Sequence, residues 1–92
     1  MTTVGIATGA GRGMGYACAA RMVGTVDTLL LLDLDEATLT AAAEGLSTER
    51  TRVEPFVLDV TDADGLARLA RRVSELGTLR SVAHAAGISP TM

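Results

Sequence analysis

Four glycines at alternate positions, Gly9, Gly11, Gly13 and Gly15, separate the apolar run Val4 to Ala7 from the helix-forming segment Tyr16 to Met22. Such a stretch reads as a strand, a tight turn and the start of a helix. Glycine lets the backbone turn sharply, and it lets a bulky anion reach main-chain N–H groups without meeting a Cβ. A helix N-terminus adds unpaired donors and a partial positive charge. The chemistry these residues suit is phosphate binding, with main-chain donors around Met14 facing the anion.

The spacing narrows the kind of phosphate site. The fingerprint G-x-G-x-x-G does not fit, because Met14 and Tyr16 stand where its third glycine belongs. A P-loop is excluded as well, since G-x-x-x-x-G-K-[ST] requires a lysine and the chain has none. What does fit is T-G-x-x-x-G-x-G, with Thr8, Gly9, Gly13 and Gly15. This pattern resembles the cofactor loop of the short-chain dehydrogenase/reductase family. The resemblance implies a nicotinamide dinucleotide as cofactor, and an oxidoreductase that moves a hydride to or from a carbonyl or secondary alcohol. An ordinary flexible turn is the bland alternative, and the strand-to-helix context weighs against it.

Asp33 lies 18 positions after Gly15, at the end of the second expected strand. Dinucleotide folds place there the acid that bonds the adenosine ribose hydroxyls. A carboxylate in that crevice repels the extra phosphate of NADP, so NAD is the expected cofactor and NADP the less favoured one. A second cap for the following helix is the competing role, and Asp35 suits it better. Arg12, in the glycine turn, is able to pair with a ribose phosphate or with the pyrophosphate. In the family a base at this place often accompanies NADP; with Asp33 present, Arg12 is read as solvent-facing or beside the pyrophosphate.

Two further sites follow from the resemblance. Asp59 and Val60 occupy the place where family members contact adenine, the acid accepting from the exocyclic amino group and the next residue packing on the ring. An N-cap role for Asp59 is the alternative, for which Thr61 competes. His84, Ala85, Ala86 and Gly87 stand where the family usually has Asn-Asn-Ala-Gly, beside the nicotinamide ribose. Ala86 and Gly87 match, whereas His84 and Ala85 depart from the pattern. As the only histidine, His84 is a candidate general base, but no nucleophile or carboxylate is placed beside it by the sequence, and a backbone-bonded strand-end residue is the favoured reading.

The family's Tyr-x-x-x-Lys is absent: Tyr16 has Ala20 four residues on, and no lysine occurs. The expectation is therefore an N-terminal portion, residues 1–92, of a single dinucleotide-binding domain, inactive by itself. Substrate contacts and catalysis would come from a remaining portion or a companion chain, and the resemblance implies a homo-oligomer when complete. A non-catalytic NAD(P)-binding module is the runner-up, and a flavodoxin-like domain without dinucleotide ranks last.

The elements that must hold these residues alternate regularly. A helix is expected from about Gly13 to Val23 with Gly24 as its stop, then a strand from Val26 to Asp33 whose continuous leucines suit burial on both faces. Asp35 offers an N-cap to a helix with a stripe at Leu39, Ala42, Ala43 and Leu46. The third strand, Thr51 to Leu58, contains Pro55, which cannot donate to a ladder and belongs on an edge. Thr61 to Asp64 resembles a capping box for a third helix, with a stripe at Leu66, Leu69, Ala70 and Val73 and a stop at Gly77. Leu79 to His84 forms the fourth strand. The pattern predicts an α/β fold, a doubly wound parallel sheet of the Rossmann kind with strand order 3-2-1-4.

Composition sets bounds on the rest. The 92 residues are 48% hydrophobic and 21% charged, enough for a core. A net charge of −3, with arginines scattered, leaves no basic stripe for nucleic acid. No apolar run reaches the roughly 20 residues of a membrane span, and the expected location is cytoplasmic. Cys18, the only cysteine, is expected as a buried small side chain, and a metal site is not expected.

Overall fold

The leucines from Leu29 to Leu32 are all fully buried, and their side chains alternate between two separate clusters. Only a strand covered on both faces accepts such a run. A computed structural model of the chain describes residues 2–10, 13–59 and 61–84, without the side chains of Met14 and His84. The elements run β1 (Thr3–Thr8), α1 (Gly13–Met22), β2 (Thr28–Asp33), α2 (Glu36–Leu46), β3 (Arg52–Val57), α3 (Ala63–Leu76) and β4 (Thr78–His84). Among the described residues the strands form one parallel sheet in the order β3-β2-β1-β4. The doubly wound topology expected from the sequence is the one observed.

One face of the sheet packs Ala7, Leu29, Leu31 and Val53 against Ala19 of α1 and Leu39, Ala42, Ala43 and Leu46 of α2. The other packs Val4, Ile6, Leu30 and Leu32 against Leu69 of α3, with Phe56, Val73 and Leu76 at the margin. Burying one such leucine contributes about 2 kcal/mol, so the four of β2 anchor both layers. Pro55 pairs with Leu31 from the outer strand β3, on the edge where its missing N–H does no harm.

Several local expectations need correction. The strand β2 starts at Thr28 instead of Val26, because Val26 forms an isolated bridge with Val23 and Asp27 is held by Thr3. The cap of α3 is Asp62, whose carboxylate accepts from Asp64 N–H, and Thr61 instead donates to Asp59. The buried stripe of α3 is Gly65 and Leu69 flanked by Val73 and Leu76, whereas Leu66 and Ala70 are exposed. Cys18 is half-buried, at the margin of the stripe that buries Ala19.

The end of the sheet opposite the glycine turn is tied by hydroxyls. Thr51 is fully buried; its Oγ1 accepts from Gly24 N–H at 2.8 Å and donates to the Val26 carbonyl at 2.7 Å. The loops leading into β2 and β3 are thereby fastened to each other. Thr51→Val keeps the shape but leaves a donor and an acceptor unpaired inside the protein. Urea unfolding is expected to show a loss of about 2 kcal/mol for Thr51→Val, with Thr51→Ser, which keeps the hydroxyl, losing less.

Candidate dinucleotide site

The carboxyl ends of β1, β2 and β3 lie side by side, and main-chain bonds hold them in register beyond the ladder. Ala10, fully buried in the turn after β1, donates its N–H to the Leu32 carbonyl at 3.1 Å. Leu58, just past β3, donates to the Asp33 carbonyl at 3.1 Å. The glycine turn, Asp33 and Asp59 are thus gathered at the carboxyl end of the sheet, the place where open α/β sheets bind ligands.

The turn itself requires glycine at the motif positions. Gly9 and Gly13 have φ of 63° and 61°, a conformation costly for other residues. Gly15 is needed for space, since a Cβ there would collide with the Gly9 carbonyl. This close approach presses the first turn of α1 against the end of β1, leaving the helix's early N–H groups beside the turn. Acidic residues are absent from the first turn of α1, so nothing there opposes an anion. Gly11 and Arg12 lie outside the described residues, as do Val60, Ala85, Ala86 and Gly87. Met14 is placed in α1 and His84 at the end of β4, where His84 pairs with Thr8.

Asp33 is the last residue of β2 and half-buried, with Oδ1 accepting from Leu34 N–H at 2.7 Å. That bond holds one carboxylate oxygen against the main chain at the strand end. Asp59 is exposed, and its Oδ1 accepts from Thr61 N–H at 2.9 Å and Thr61 Oγ1 at 2.7 Å. The competing idea of Asp59 as the α3 cap is not what the structure shows, because Asp62 fills that position. The Thr61 N–H, and then its hydroxyl, hold the Asp59 carboxyl below the usual carboxylate range. Sequence reasoning found both acids but not Ala10, whose spent N–H carries no signature in residue type.

Two other acids are held low by the same kind of bonding: Asp27 by Thr3 N–H and hydroxyl, and Glu54 by the Arg72 guanidinium. A carboxylate whose native value is depressed binds fewer protons folded than unfolded. Its contribution is complete above the ordinary values of 3.8 for Asp and 4.5 for Glu, and it disappears as pH falls through the lower native values. The urea midpoint is therefore expected to hold steady at neutral pH and to drop as pH passes below 4.5, with Glu54→Gln flattening the upper part of that drop. A midpoint that rises on acidification contradicts the assignment.

Among the described residues no helix is long and apolar enough to cross a membrane. The profile of the family described as "short chain dehydrogenase" matches residues 3–92. Curated relatives named "Probable oxidoreductase EphD", from Mycobacterium bovis and Mycobacterium tuberculosis, are 37% identical over 82 residues, covering 88% of this chain and 14% of theirs. A short-chain dehydrogenase from Sphingobium yanoikuyae, solved in complex with NADPH, is 30% identical with a TM-score of 0.71, covering 89% of this chain and 32% of that one. A betaketoacyl-[ACP] reductase from Bacteroides thetaiotaomicron shares the fold with a TM-score of 0.83 at 18% identity, over 97% of this chain and 41% of its own. The chain spans 14% of the length of these curated relatives, and 32% and 41% of the two solved structures.

Proposed function

The chain belongs to the short-chain dehydrogenase family, and from that premise we propose that it supplies the cofactor-binding part of an NAD-dependent oxidoreductase acting on a carbonyl or secondary alcohol. The observation that carries the reading is the juxtaposition of the glycine turn with Asp33, fixed by the bond from Ala10 N–H to the Leu32 carbonyl. The cradle fits the cofactor: it is lined by positions where a Cβ would collide or the backbone would strain. In this reading the turn from Gly9 to Gly15 holds the pyrophosphate, Asp33 the adenosine ribose and Asp59 the adenine amino group. His84 and the residues Ala85 to Gly87 are assigned to the nicotinamide ribose on the same reading.

The cofactor, when bound, accepts or donates a hydride at its nicotinamide ring. This chain's residues orient it and discriminate between its forms. Asp33 disfavours a phosphate on the ribose, since two anions would share a partly desolvated crevice. The NADPH in the Sphingobium yanoikuyae relative supports the competing reading, NADP as cofactor, in which Arg12 is the phosphate's partner by its charge alone. Calorimetric titration of the full-length protein separates the two. Tighter binding of NAD supports the reading given first, and tighter binding of NADP overturns it.

A further inference from the structure

The helix α3 packs on the sheet mainly through Leu69, with Val73 and Leu76 at the margin, and one polar contact adds to that seat. Its buried residues are Gly65 and Leu69. Near its start, Gly65 lies so close to Leu58 that a Cβ would collide with the leucine. Further along, Arg72 Nε and Nη2 each donate to Glu54 at 2.7 Å, one to each carboxylate oxygen, while Nη1 reaches Glu75 at 3.2 Å. Glu54 sits on β3 opposite Leu30, facing α3, and its side chain is 18% exposed. Most surface ion pairs matter little, but a two-pronged Arg–carboxylate contact on a half-covered face has the geometry that does.

The segment between β3 and α3 carries Asp59, which closes a turn by accepting Asp62 N–H at its carbonyl. Its position is thus set from two sides, by the Leu58 N–H bond to the Asp33 carbonyl and by the start of α3. The Gly65–Leu58 contact fixes the start of the helix, Leu69, Val73 and Leu76 seat it on the sheet, and the Arg72–Glu54 contact fixes its outer side; without the ion pair that side is held by apolar packing alone. We propose that Glu54 and Arg72 are positioning residues for adenine recognition, fixing α3 so that the Asp59 carboxylate meets the exocyclic amino group of the dinucleotide. This rests on the assignment of Asp59 given under the proposed function.

The test compares NAD with nicotinamide hypoxanthine dinucleotide, in which a carbonyl replaces the adenine amino group, by calorimetry on the full-length protein. The unmodified protein is expected to prefer NAD by about tenfold, the worth of one charge-assisted hydrogen bond. Arg72→Gln and Glu54→Gln should each reduce that preference to below about threefold while leaving the hypoxanthine analogue's affinity within about twofold. The exchange Glu54→Arg with Arg72→Glu should restore most of it. If Arg72→Gln does not fold, Arg72→Lys, which keeps charge but not the two-pronged contact, should give the intermediate preference. Asp59→Ala separates the two levels of the argument. A preference unchanged by Asp59→Ala removes the adenine role itself. A preference lost in Asp59→Ala but retained in Arg72→Gln overturns the positioning role alone, as does equal weakening of both ligands.

Discussion

Gly15→Ala is expected to weaken dinucleotide binding about a hundredfold and to lower stability at the same time. The added methyl has nowhere to go, because its direction is occupied by the Gly9 carbonyl, main chain that no side-chain rotation can move aside. The start of α1 must lift from the end of β1. Forcing a methyl into a filled site costs about 1–3 kcal/mol of stability. The effect on binding is separate: charge-assisted bonds from main-chain N–H groups are worth about 1.5–3 kcal/mol each, and displacing one or two of them accounts for the hundredfold loss. Gly45→Ala serves as control, since a Cβ there meets only the Tyr16 hydroxyl at 3.6 Å, an ordinary contact. Calorimetry with NAD, alongside urea unfolding, reads both effects. Unchanged affinity in a folded Gly15→Ala protein contradicts the role of the turn.

Asp33→Asn is expected to reverse or erase the cofactor preference. Two unit charges at about 4 Å interact by about 4 kcal/mol at the effective dielectric of a protein surface, and salt reduces this where solvent enters. Because Asp33 is half-buried, a shift of about ten- to a hundredfold in the NADP-to-NAD affinity ratio follows. The amide keeps the bond from Leu34 N–H, so the strand end is preserved while the charge is removed. NAD affinity should fall about tenfold, as the ribose hydroxyls lose a charged acceptor. A ratio insensitive to Asp33→Asn at low and high salt alike places the ribose elsewhere.

The fold was legible because its signals are local and repetitive. The alternation of apolar runs with helical stripes, the leucines of β2 and the proline of β3 set element type and sheet order, and Pro55 does lie on the edge strand. The stripe of α2 matched residue for residue, since Asp35 is an isolated cap with one possible helix to serve. The start of α3 was harder to read. Asp59, Thr61, Asp62 and Asp64 all carry oxygens suited to capping, and the bond of Thr61 to Asp59 leaves Asp62 as cap. Leu69 and Val73 keep the face expected of them, whereas in the first turn Gly65 packs directly against Leu58 and Leu66 is exposed.

For the candidate site, the glycines and Asp33 were legible in residue type and spacing, and Asp59 through the resemblance to the family. What the sequence did not reveal are the bonds between distant segments: Ala10 to Leu32, Thr51 to both Gly24 and Val26, Arg72 to Glu54. None of these has a period, and each depends on which loops the topology brings together. They decide how rigidly the visible residues are held.

The central claim is that the turn between β1 and α1, together with Asp33, receives a nicotinamide dinucleotide. Following backbone amide signals of the isotopically labelled full-length protein during titration with NAD tests it most directly. Saturable shifts are expected to be largest from Gly9 to Gly15 and at Asp33, Leu34 and Asp59, and small at the opposite end around Gly24 and Thr51. Binding that leaves the glycine turn unperturbed, or shifts centred on the Thr51 end of the sheet, contradicts it.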